Sequence, residues 1–208
     1  MVTYFNFTGI VLIFIFPTVS WYLFEKDIKF TLKPPRPSNH PFNQIPFLED
    51  GDVEVFESGA ILLYLADAYG GNDTPSKRAS YTKWVVWANS ELDNICFGRG
   101  MSGTQLDKPN KVLDKFDLLL RQSDWLVDNT FGVADVAVGS YLNYVPVFFG
   151  SINMAQRPGI AKYMLRCAKR PNFEKAFGSD HTSAVLSQES RWLGEVDTKK
   201  SPKNFGLW

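Results

Sequence analysis

The side chains best placed to do chemistry stand close together in residues 42–61, which read FNQIPFLEDGDVEVFESGAI. Glu57 and Ser58 directly precede the apolar residues of a predicted helix. A hydroxyl, the free N–H groups of a helix start and the positive end of the helix dipole together suit a bound carboxylate. The carboxylate of Glu57 suits an ammonium group beside it. The alternative is an ordinary helix cap next to a solvated acid.

The first third of the chain alternates short strand-like and helix-like segments. Apolar alternation and turn residues predict two strands around the turn Glu49-Asp50-Gly51-Asp52, and Gly70-Gly71 closes a helix that starts at Ser58. The full predicted order is strand, helix, strand, strand, strand, helix. The first three of these elements are a strand over 2–8, a helix over about 14–26 and a strand over 28–32.

After residue 71 no strand-like alternation returns, and the pattern becomes helical. The apolar character of 133–149 on nearly every side predicts a buried central helix. The sequence therefore predicts two domains, over 1–71 and 77–193, followed by a tail over 194–208. The other predicted helices cover 77–97, 110–127, 158–169 and 173–193.

Composition excludes several classes of protein. The 208 residues are 45% hydrophobic, and Lys+Arg and Asp+Glu each number 22, so neither disorder nor nucleic-acid binding is expected. Two cysteines are too few for a disulfide framework or a cysteine-built zinc site, and no metal is expected. Residues 1–24 carry no charged side chain, but polar residues and a proline interrupt them, so a membrane span is not expected. No organelle address is evident, and the expected location is cytoplasmic.

Two linked motifs resemble the glutathione S-transferase family. HPFNQIPFLEDGDVEVFESGAILLYL resembles its glutathione-binding half, and WLVDNTFGVADVAVGSYLNY resembles the core motif of its helical half. The likeness covers about residues 20–178. It implies an α+β, thioredoxin-like N-terminal domain, an all-α C-terminal helical domain and a homodimer, with glutathione as co-substrate.

The resemblance also implies roles for the residues that match the first motif. Ser58 would hold the γ-glutamyl carboxylate of glutathione, and Glu57 its ammonium group. A cis bond between Ile45 and Pro46 would expose the backbone of Ile45, with which the cysteinyl backbone of the ligand pairs like an added strand. Gln44 would bond the glycine end, although taken alone it reads as a surface amide.

One departure from the family concerns the glycine end of glutathione. Family members usually carry a helix between the second strand and the Ile-Pro segment, and this helix helps to hold the glycyl carboxylate. Here the nine residues KPPRPSNHP, 33–41, stand in its place and are too rich in proline for a helix. Lys33, Arg36 or His40 could substitute as cations, and a solvated loop is the alternative.

A larger departure concerns the group that activates the thiol. The family uses a tyrosine or serine hydroxyl, or a cysteine, near the end of the first strand, and a donor to the sulfur favours the thiolate. The usual serine or cysteine position falls near Ile13, which has no such chemistry. Tyr4, in TYFN before Gly9, resembles the tyrosine of Tyr-type members but lies early relative to the helix. Thr8 is a weaker candidate, and a core aromatic is the alternative for Tyr4.

Aromatic residues of the helical half complete the expected site. By resemblance they line the pocket for a hydrophobic co-substrate, although aromatics at helical spacing are also typical of a core. They are Trp84, Trp87, Tyr141, Tyr144 and Phe148.

Asp135 and Gly132 are expected to be structural. Asp135 is the third residue of the central helix, from which its carboxylate can reach back to the N–H of Gly132. The family usually has a serine or threonine at the position of Gly132, so half of a reciprocal capping box is missing, and Thr130 is the candidate to supply the missing hydroxyl.

Two functions fit these observations. The first is an enzyme that conjugates glutathione to a hydrophobic electrophile, or reduces such a compound, through a stabilised thiolate. The second is a glutathione transferase-like interaction subunit without this chemistry, docking on a partner or larger assembly. Ile13, the replaced helix and the aromatic tail favour the second function.

Overall fold

The computed structural model describes residues 4–5, 16–32, 40–42, 44–71 and 73–194, and at Tyr4, Phe5 and Phe16 it describes the backbone alone. A π-turn over Ala88–Leu92 joins helices α3 and α4, and a 3-10 turn over Arg99–Met101 follows α4. In chain order the described elements are β1 Tyr4–Phe5, α1 Phe16–Glu25, β2 Phe47–Asp50, β3 Val53–Phe56, α2 Ser58–Tyr69, α3 Pro75–Trp87, α4 Asp93–Phe97, α5 Lys111–Gln122, α6 Val133–Phe149, α7 Pro158–Ala168, α8 Pro171–Phe177, α9 Ser179–Leu186 and α10 Glu189–Leu193.

The described strands form one antiparallel sheet in the order β1-β2-β3. The predicted hairpin is confirmed: β2 and β3 pair with Phe47 opposite Phe56, and Gly51 turns the chain with a φ of 61°. A positive φ at this position costs glycine little, because it has no Cβ. In β1, Tyr4 lies opposite Glu49 and Phe5 opposite Leu48. The rest of the strand predicted over 2–8 lies outside the described residues.

Helix α2 follows the hairpin as predicted and covers the sheet with its apolar side. Ile61, Leu62 and Leu65 are fully buried, and Ala66 nearly so. The helix ends where the N–H of Gly70 bonds the carbonyl of Ala66. Packing on the sheet therefore fixes the position of the first turn of α2 next to the end of β3.

The strand predicted over 28–32 is reduced to a β-bridge at Leu32, since 28–31 has no regular secondary structure. The end of α1 is the physical reason. Asp27 has a φ of 49°, and the N–H of Ile28 bonds back to the carbonyl of Leu23, which is the helix-closing bond of a Schellman motif. The Phe30 ring then contacts that of Phe24, with centroids 5.4 Å apart. At Phe30 the apolar alternation therefore reflects packing on α1.

Two of the predicted long helices are interrupted. The segment predicted over 77–97 consists of α3, the π-turn and α4, and α3 begins where Thr74 accepts the N–H of Lys77. The segment predicted over 173–193 consists of α8, α9 and α10. Gly178, with a φ of 85°, separates the first two of these helices.

Helix α6 is the buried centre of the helical half, as predicted. Its residues 133–140 and 142–146 are all buried. A Cβ on Gly139 would lie 2.9 Å from the Sγ of Cys167 and 3.4 Å from the ring of Trp21, so a larger residue would push two elements away from α6. This close approach brings α1 of the N-terminal part and α7 onto the same helix.

A buried tryptophan and an ion pair join α1 to the helical half. Trp21 is fully buried, and its ring lies 5.4 Å from that of Phe131 and 5.1 Å from that of Phe173. Arg170 donates from Nε and an Nη to the two carboxylate oxygens of Glu25, at 2.8 and 2.7 Å. Burial alone would raise the pKa of Glu25, but Arg170 lowers it. The two halves are therefore fixed to each other at this end of α1.

The carboxylate of Asp135 fixes the turn that leads into α6. Fully buried, it accepts hydrogen bonds from the N–H of Gly132, the N–H of Leu126 and the hydroxyl of Tyr163, each at 3.0 Å. Burial raises the pKa of Asp135 to about 6, whereas the hydrogen bonds from these three donors lower the pKa and offset part of that rise. Gly132 has no side chain to return the cap, and the hydroxyl of Thr130 instead donates to the carbonyl of Asp128.

We predict that Asp135→Asn lowers the free energy of unfolding by about 2 kcal/mol or more, although the side chains are isosteric. An amide has one acceptor oxygen, so its NH₂ group would face at least one N–H or O–H donor and leave that donor unbonded, at a cost of about 1–3 kcal/mol each. Urea unfolding checks this. The matched control is Asp128→Asn, because Asp128 is exposed and its φ of 51° suits asparagine. Equal urea midpoints for the two variants would contradict a structural role for Asp135.

Candidate functional site

The hairpin register brings the two parts of the candidate site to one end of the sheet. Pro46 directly precedes Phe47, and Glu57 directly follows Phe56. Because Phe47 and Phe56 are paired, Pro46 and Glu57 flank the same rung of the ladder. Ser58 then begins α2. The turn before β2 and the first N–H groups of α2 therefore lie side by side.

The turn before β2 has the isomer that the resemblance implies. The Ile45-Pro46 peptide bond is cis. Pro46 is buried, Ile45 is half-buried, and Gln44 is exposed. A ligand at this turn can therefore reach Gln44 and one edge of Ile45 from solvent.

Glu57 and Ser58 present opposite kinds of group at the start of α2. Glu57 has a φ of 68° and a ψ of 125°, and its carboxylate is exposed. Such a φ is uncommon for residues other than glycine, and it is a conformation that tends to be retained at binding sites. Ser58 is buried, with 4% of its surface exposed. An exposed acid thus stands beside a buried hydroxyl at the positive end of a helix dipole.

Asn89 holds the hydroxyl of Ser58 in place. Its Oδ1 accepts hydrogen bonds from the Ser58 hydroxyl at 3.0 Å and from the Tyr141 hydroxyl at 3.1 Å. Its Nδ2 donates to the carbonyl of Val85 at 2.9 Å, which fixes the orientation of the amide. Burial raises the pKa of Tyr141, so this hydroxyl stays protonated and remains a donor. One side chain of the helical half therefore positions the start of α2.

Asn89 is the residue of this site that the sequence did not indicate. It lies in the π-turn over Ala88–Leu92, and π-turns are frequent at functional sites. A Cβ on Gly59 would lie 2.7 Å from its Nδ2, so glycine allows α2 to approach this closely. The one available signal was an asparagine inside a predicted helix, where its propensity is poor.

His40 lies in the aromatic cluster under the hairpin. It is 3% exposed, and its ring contacts those of Phe42, Phe47 and Phe56. Its Nδ1 accepts the N–H of Phe42 at 3.0 Å. The backbone of its own turn therefore occupies this ring nitrogen. Lys33 and Arg36, the other two candidate cations, lie outside the described residues.

Of the candidates for the thiol-activating group, the structure describes only the backbone of Tyr4. Tyr4 lies in β1, beside the strand that follows the cis-proline turn. Its side chain, and all of Thr8 and Ile13, lie outside the described residues. The role of Tyr4 stays a prediction.

Three of the five aromatics expected to line a co-substrate pocket lie along α6. The rings of Tyr141 and Phe148 each contact that of Phe97, at 6.2 and 6.1 Å. Tyr144 is 3% exposed, and its ring also contacts that of Phe177. Tyr141 thus connects the Ser58–Asn89 hydrogen bond to an aromatic cluster.

The other two aromatics lie in a different place. The rings of Trp84 and Trp87 pack on Phe116, at 5.8 and 5.1 Å, in an apolar groove of about 360 Å³ between α3 and α5. Among the described residues, no ring contact or hydrogen bond joins these tryptophans to Tyr141. The groove, called the α3–α5 groove below, is completed by Lys83, Val112, Lys115 and Leu119.

Two kinds of feature are missing from the described ranges. No helix in them is both long and apolar enough to cross a membrane. No group of three or more His, Cys, Asp or Glu side chains in them is arranged to hold a metal ion.

Comparisons with known proteins agree with this architecture. The family model for the glutathione S-transferase N-terminal domain matches residues 2–67, and that for the C-terminal domain matches residues 102–171. Glutathione S-transferase F14 of Arabidopsis thaliana is 33% identical over 190 residues, which cover 76% of this chain and 72% of the relative. A glutathione S-transferase of Hyoscyamus muticus is 28% identical over 185 residues, covering 73% of this chain and 87% of the relative.

A solved structure shares the fold. The theta class glutathione S-transferase from the citrus canker pathogen Xanthomonas axonopodis pv. citri, with glutathione bound, superposes with a TM-score of 0.64 at 19% identity. The match covers 86% of this chain and 97% of that chain. The N-terminal sheet with α2, the helical half around α6, the two family models and the plant relatives lead to one conclusion: this chain belongs to the glutathione S-transferase family.

Proposed function

We propose that this chain binds glutathione at the start of α2 and uses its thiolate to conjugate or reduce a hydrophobic electrophile. The observation that carries the proposal is the hairpin register, which sets the cis-proline turn beside the Glu57-Ser58 helix start. A tripeptide with carboxylate, ammonium and backbone groups needs such a set of partners at short spacing. The bound glutathione in the Xanthomonas family member supports the choice of ligand.

Each polar group of glutathione has a partner at this site. The γ-glutamyl carboxylate meets the first N–H groups of α2 and the Ser58 hydroxyl, and the ammonium meets Glu57. The cysteinyl backbone pairs with Ile45, and Gln44 bonds the glycine end. In the structure the Ser58 proton is donated to the neutral amide of Asn89. Binding exchanges this acceptor for a charged carboxylate, which forms the stronger hydrogen bond.

The reaction requires a donor that stabilises the glutathione sulfur as a thiolate. We propose the Tyr4 hydroxyl for this role, with Thr8 as the weaker candidate, because β1 pairs with β2, the strand that follows the cis-proline turn. Tyr4 itself lies opposite Glu49, three residues beyond Pro46. The aromatic cluster of Tyr141, Phe148 and Phe97 provides an apolar surface for the electrophile next to Ser58. Catalysis would then consist of thiolate stabilisation and positioning.

A second function, a glutathione-binding interaction subunit without transferase chemistry, is favoured by two observations. Helical structure is absent from the described parts of the segment between α1 and β2, which are 26–32, 40–42 and 44–46. In addition, Trp84 and Trp87 line the α3–α5 groove and are not joined to Tyr141. An apolar groove on the surface suits contact with a protein.

A homodimer is proposed for the enzyme, with the α3–α5 groove in its interface, whereas in an interaction subunit the same groove would contact the partner protein. The resemblance implies a dimer, and the groove is flanked by exposed apolar residues. Leu119 and Val112 are 51% and 39% exposed. Exposed apolar surface of this kind is typical of protein–protein contacts.

We predict that Ser58→Ala weakens glutathione binding by about 1.5–3 kcal/mol, the range for a lost hydrogen bond to a charged group. Titration calorimetry measures this. Ser80→Ala is the matched control, since the Ser80 hydroxyl bonds back to the carbonyl of Ser76 on α3 and should leave affinity unchanged. Equal affinity of the Ser58→Ala variant and the wild type would remove Ser58 from the site.

We predict that Tyr4→Phe raises the pKa of the bound thiol and lowers turnover about 10²-fold, as for the loss of one aimed donor. Thiolate absorbance against pH and steady-state turnover measure these effects, and glutathione affinity should stay the same. Unchanged turnover would transfer the role to another donor such as Thr8. Retention of the wild type on a glutathione column without turnover of electrophiles would favour the interaction subunit.

We predict that Leu119→Glu shifts the protein from dimer to monomer, because a charge would be buried in an apolar interface. Light scattering after size-exclusion chromatography measures the mass. Leu118→Glu is the matched control: Leu118 is 55% exposed but does not line the groove, so it should leave the dimer intact. A dimer that survives Leu119→Glu would place the interface elsewhere.

A further inference from the structure

A second cavity lies at the other end of α2. It has a volume of about 180 Å³ and opens among the ends of α1 and α2 and the starts of α3 and α6. Ala66 and Gly70 line it from α2, whereas Ser58 begins that helix. Twelve residues at about 1.5 Å per residue put the two ends about 18 Å apart. The cavity is therefore separate from the proposed glutathione site.

The hydroxyl of Tyr81 is buried at this cavity without a hydrogen bond. Tyr81 lines the cavity and is 6% exposed, and its hydroxyl has no partner among the residues that the structure describes. Burial of an unbonded hydroxyl is unfavourable, so such groups are normally paired. Tyr22 lines the same cavity and is 2% exposed. A ligand with an acceptor oxygen would supply the missing partner for Tyr81.

The start of α6 offers further donors to the cavity. The first N–H groups of a helix have no partner within it, and here they belong to Val133 and Ala134, which line the cavity. Gly132, at the cap position, has no side chain to satisfy them. A Cβ on Gly132 would meet one neighbour, the carbonyl oxygen of Thr130, at 3.9 Å. The space that a capping hydroxyl would take is therefore open.

The charged residues that line the cavity are two bases, Lys26 and Lys77, and two acids, Asp73 and Asp128. Lys77 is paired with Asp73 at 3.2 Å. Lys26 also lines the cavity, and no carboxylate within the described ranges pairs with it. Asp128 is exposed at the rim, and the carboxylate of Asp135 is occupied by its three donors. Lys26 Nζ lies 5.9 Å from the centroid of the Tyr22 ring. This ammonium group, two helix N–H groups and a tyrosine hydroxyl suit one carboxylate.

We propose that this cavity binds a small organic monocarboxylate. The carboxylate lies at the start of α6, where it accepts from the N–H groups of Val133 and Ala134 and from the Tyr81 hydroxyl. Its apolar part packs on the rings of Tyr22 and Phe131, which line the other walls. The cavity is smaller than the roughly 300–1,000 Å³ usual for drug-sized ligands, so it fits a compact molecule.

Benzoate and its neutral analogue benzamide test the charge. Heteronuclear NMR titration of the wild type should show saturable shifts at residues of this cavity with benzoate, and at least tenfold weaker binding with benzamide. Ser58→Ala should bind benzoate as the wild type does, which separates this site from the glutathione site. No saturable benzoate binding, or equal binding of benzamide, would overturn the proposal.

Two substitutions test the donors. Tyr81→Phe removes the unbonded hydroxyl, so the ligand-free thermal midpoint should stay the same or rise, while benzoate binding weakens about tenfold, as for a hydrogen bond to a charged group. Gly132→Ser places a capping hydroxyl in the open space, so it should raise the ligand-free midpoint and weaken benzoate at least tenfold. Benzoate affinity that is unchanged in both variants would overturn the assignment.

Discussion

The amide of Asn89 is the contact on which the candidate site depends. It accepts from Ser58 of α2 and from Tyr141 of α6, and it donates to the backbone of its own helix. Three helices are thereby joined at one side chain, and Gly59 allows an approach that a Cβ would prevent. The start of α2 is thus held by the helical half and does not rely on the sheet alone. A ligand bound there meets groups already positioned for it, which reduces the entropic cost of binding.

Other contacts, far from Asn89, hold α1, α6 and α7 in fixed positions relative to one another. Trp21 fills the space between α1 and the helical half, and the charged pair of Glu25 and Arg170 lies beside it. Gly139 lets α1 and α7 approach the centre of α6 together. At the start of α6, the buried carboxylate of Asp135 holds the preceding turn. Removing one partner of a buried polar group leaves the other unpaired, so each contact tolerates substitution poorly.

Much of the fold could be predicted from local patterns. The hairpin followed from alternation around Gly51, and α2 and α6 followed from their apolar spacing and their terminal residues. The alternation over 28–32 predicted a full strand, whereas Ile28 and Phe30 contact the end of α1 and pairing among these residues is limited to a β-bridge at Leu32. Asn89 could not be predicted as part of the site, since a π-turn changes which residues face α2 and leaves little trace in helical periodicity. Residues adjacent in sequence, such as Glu57 and Ser58, were recognised, whereas a partner 31 positions away needed the structure.

A crystal structure with glutathione bound tests the central claim most directly. We predict that the γ-glutamyl carboxylate lies within about 3.5 Å of the Ser58 hydroxyl and of the first N–H groups of α2, the usual limit for a hydrogen bond. The cysteinyl backbone should lie beside Ile45, and Asn89 should remain in contact with Tyr141. Glutathione bound elsewhere, with the start of α2 empty and Ser58 still donating to Asn89, would contradict it.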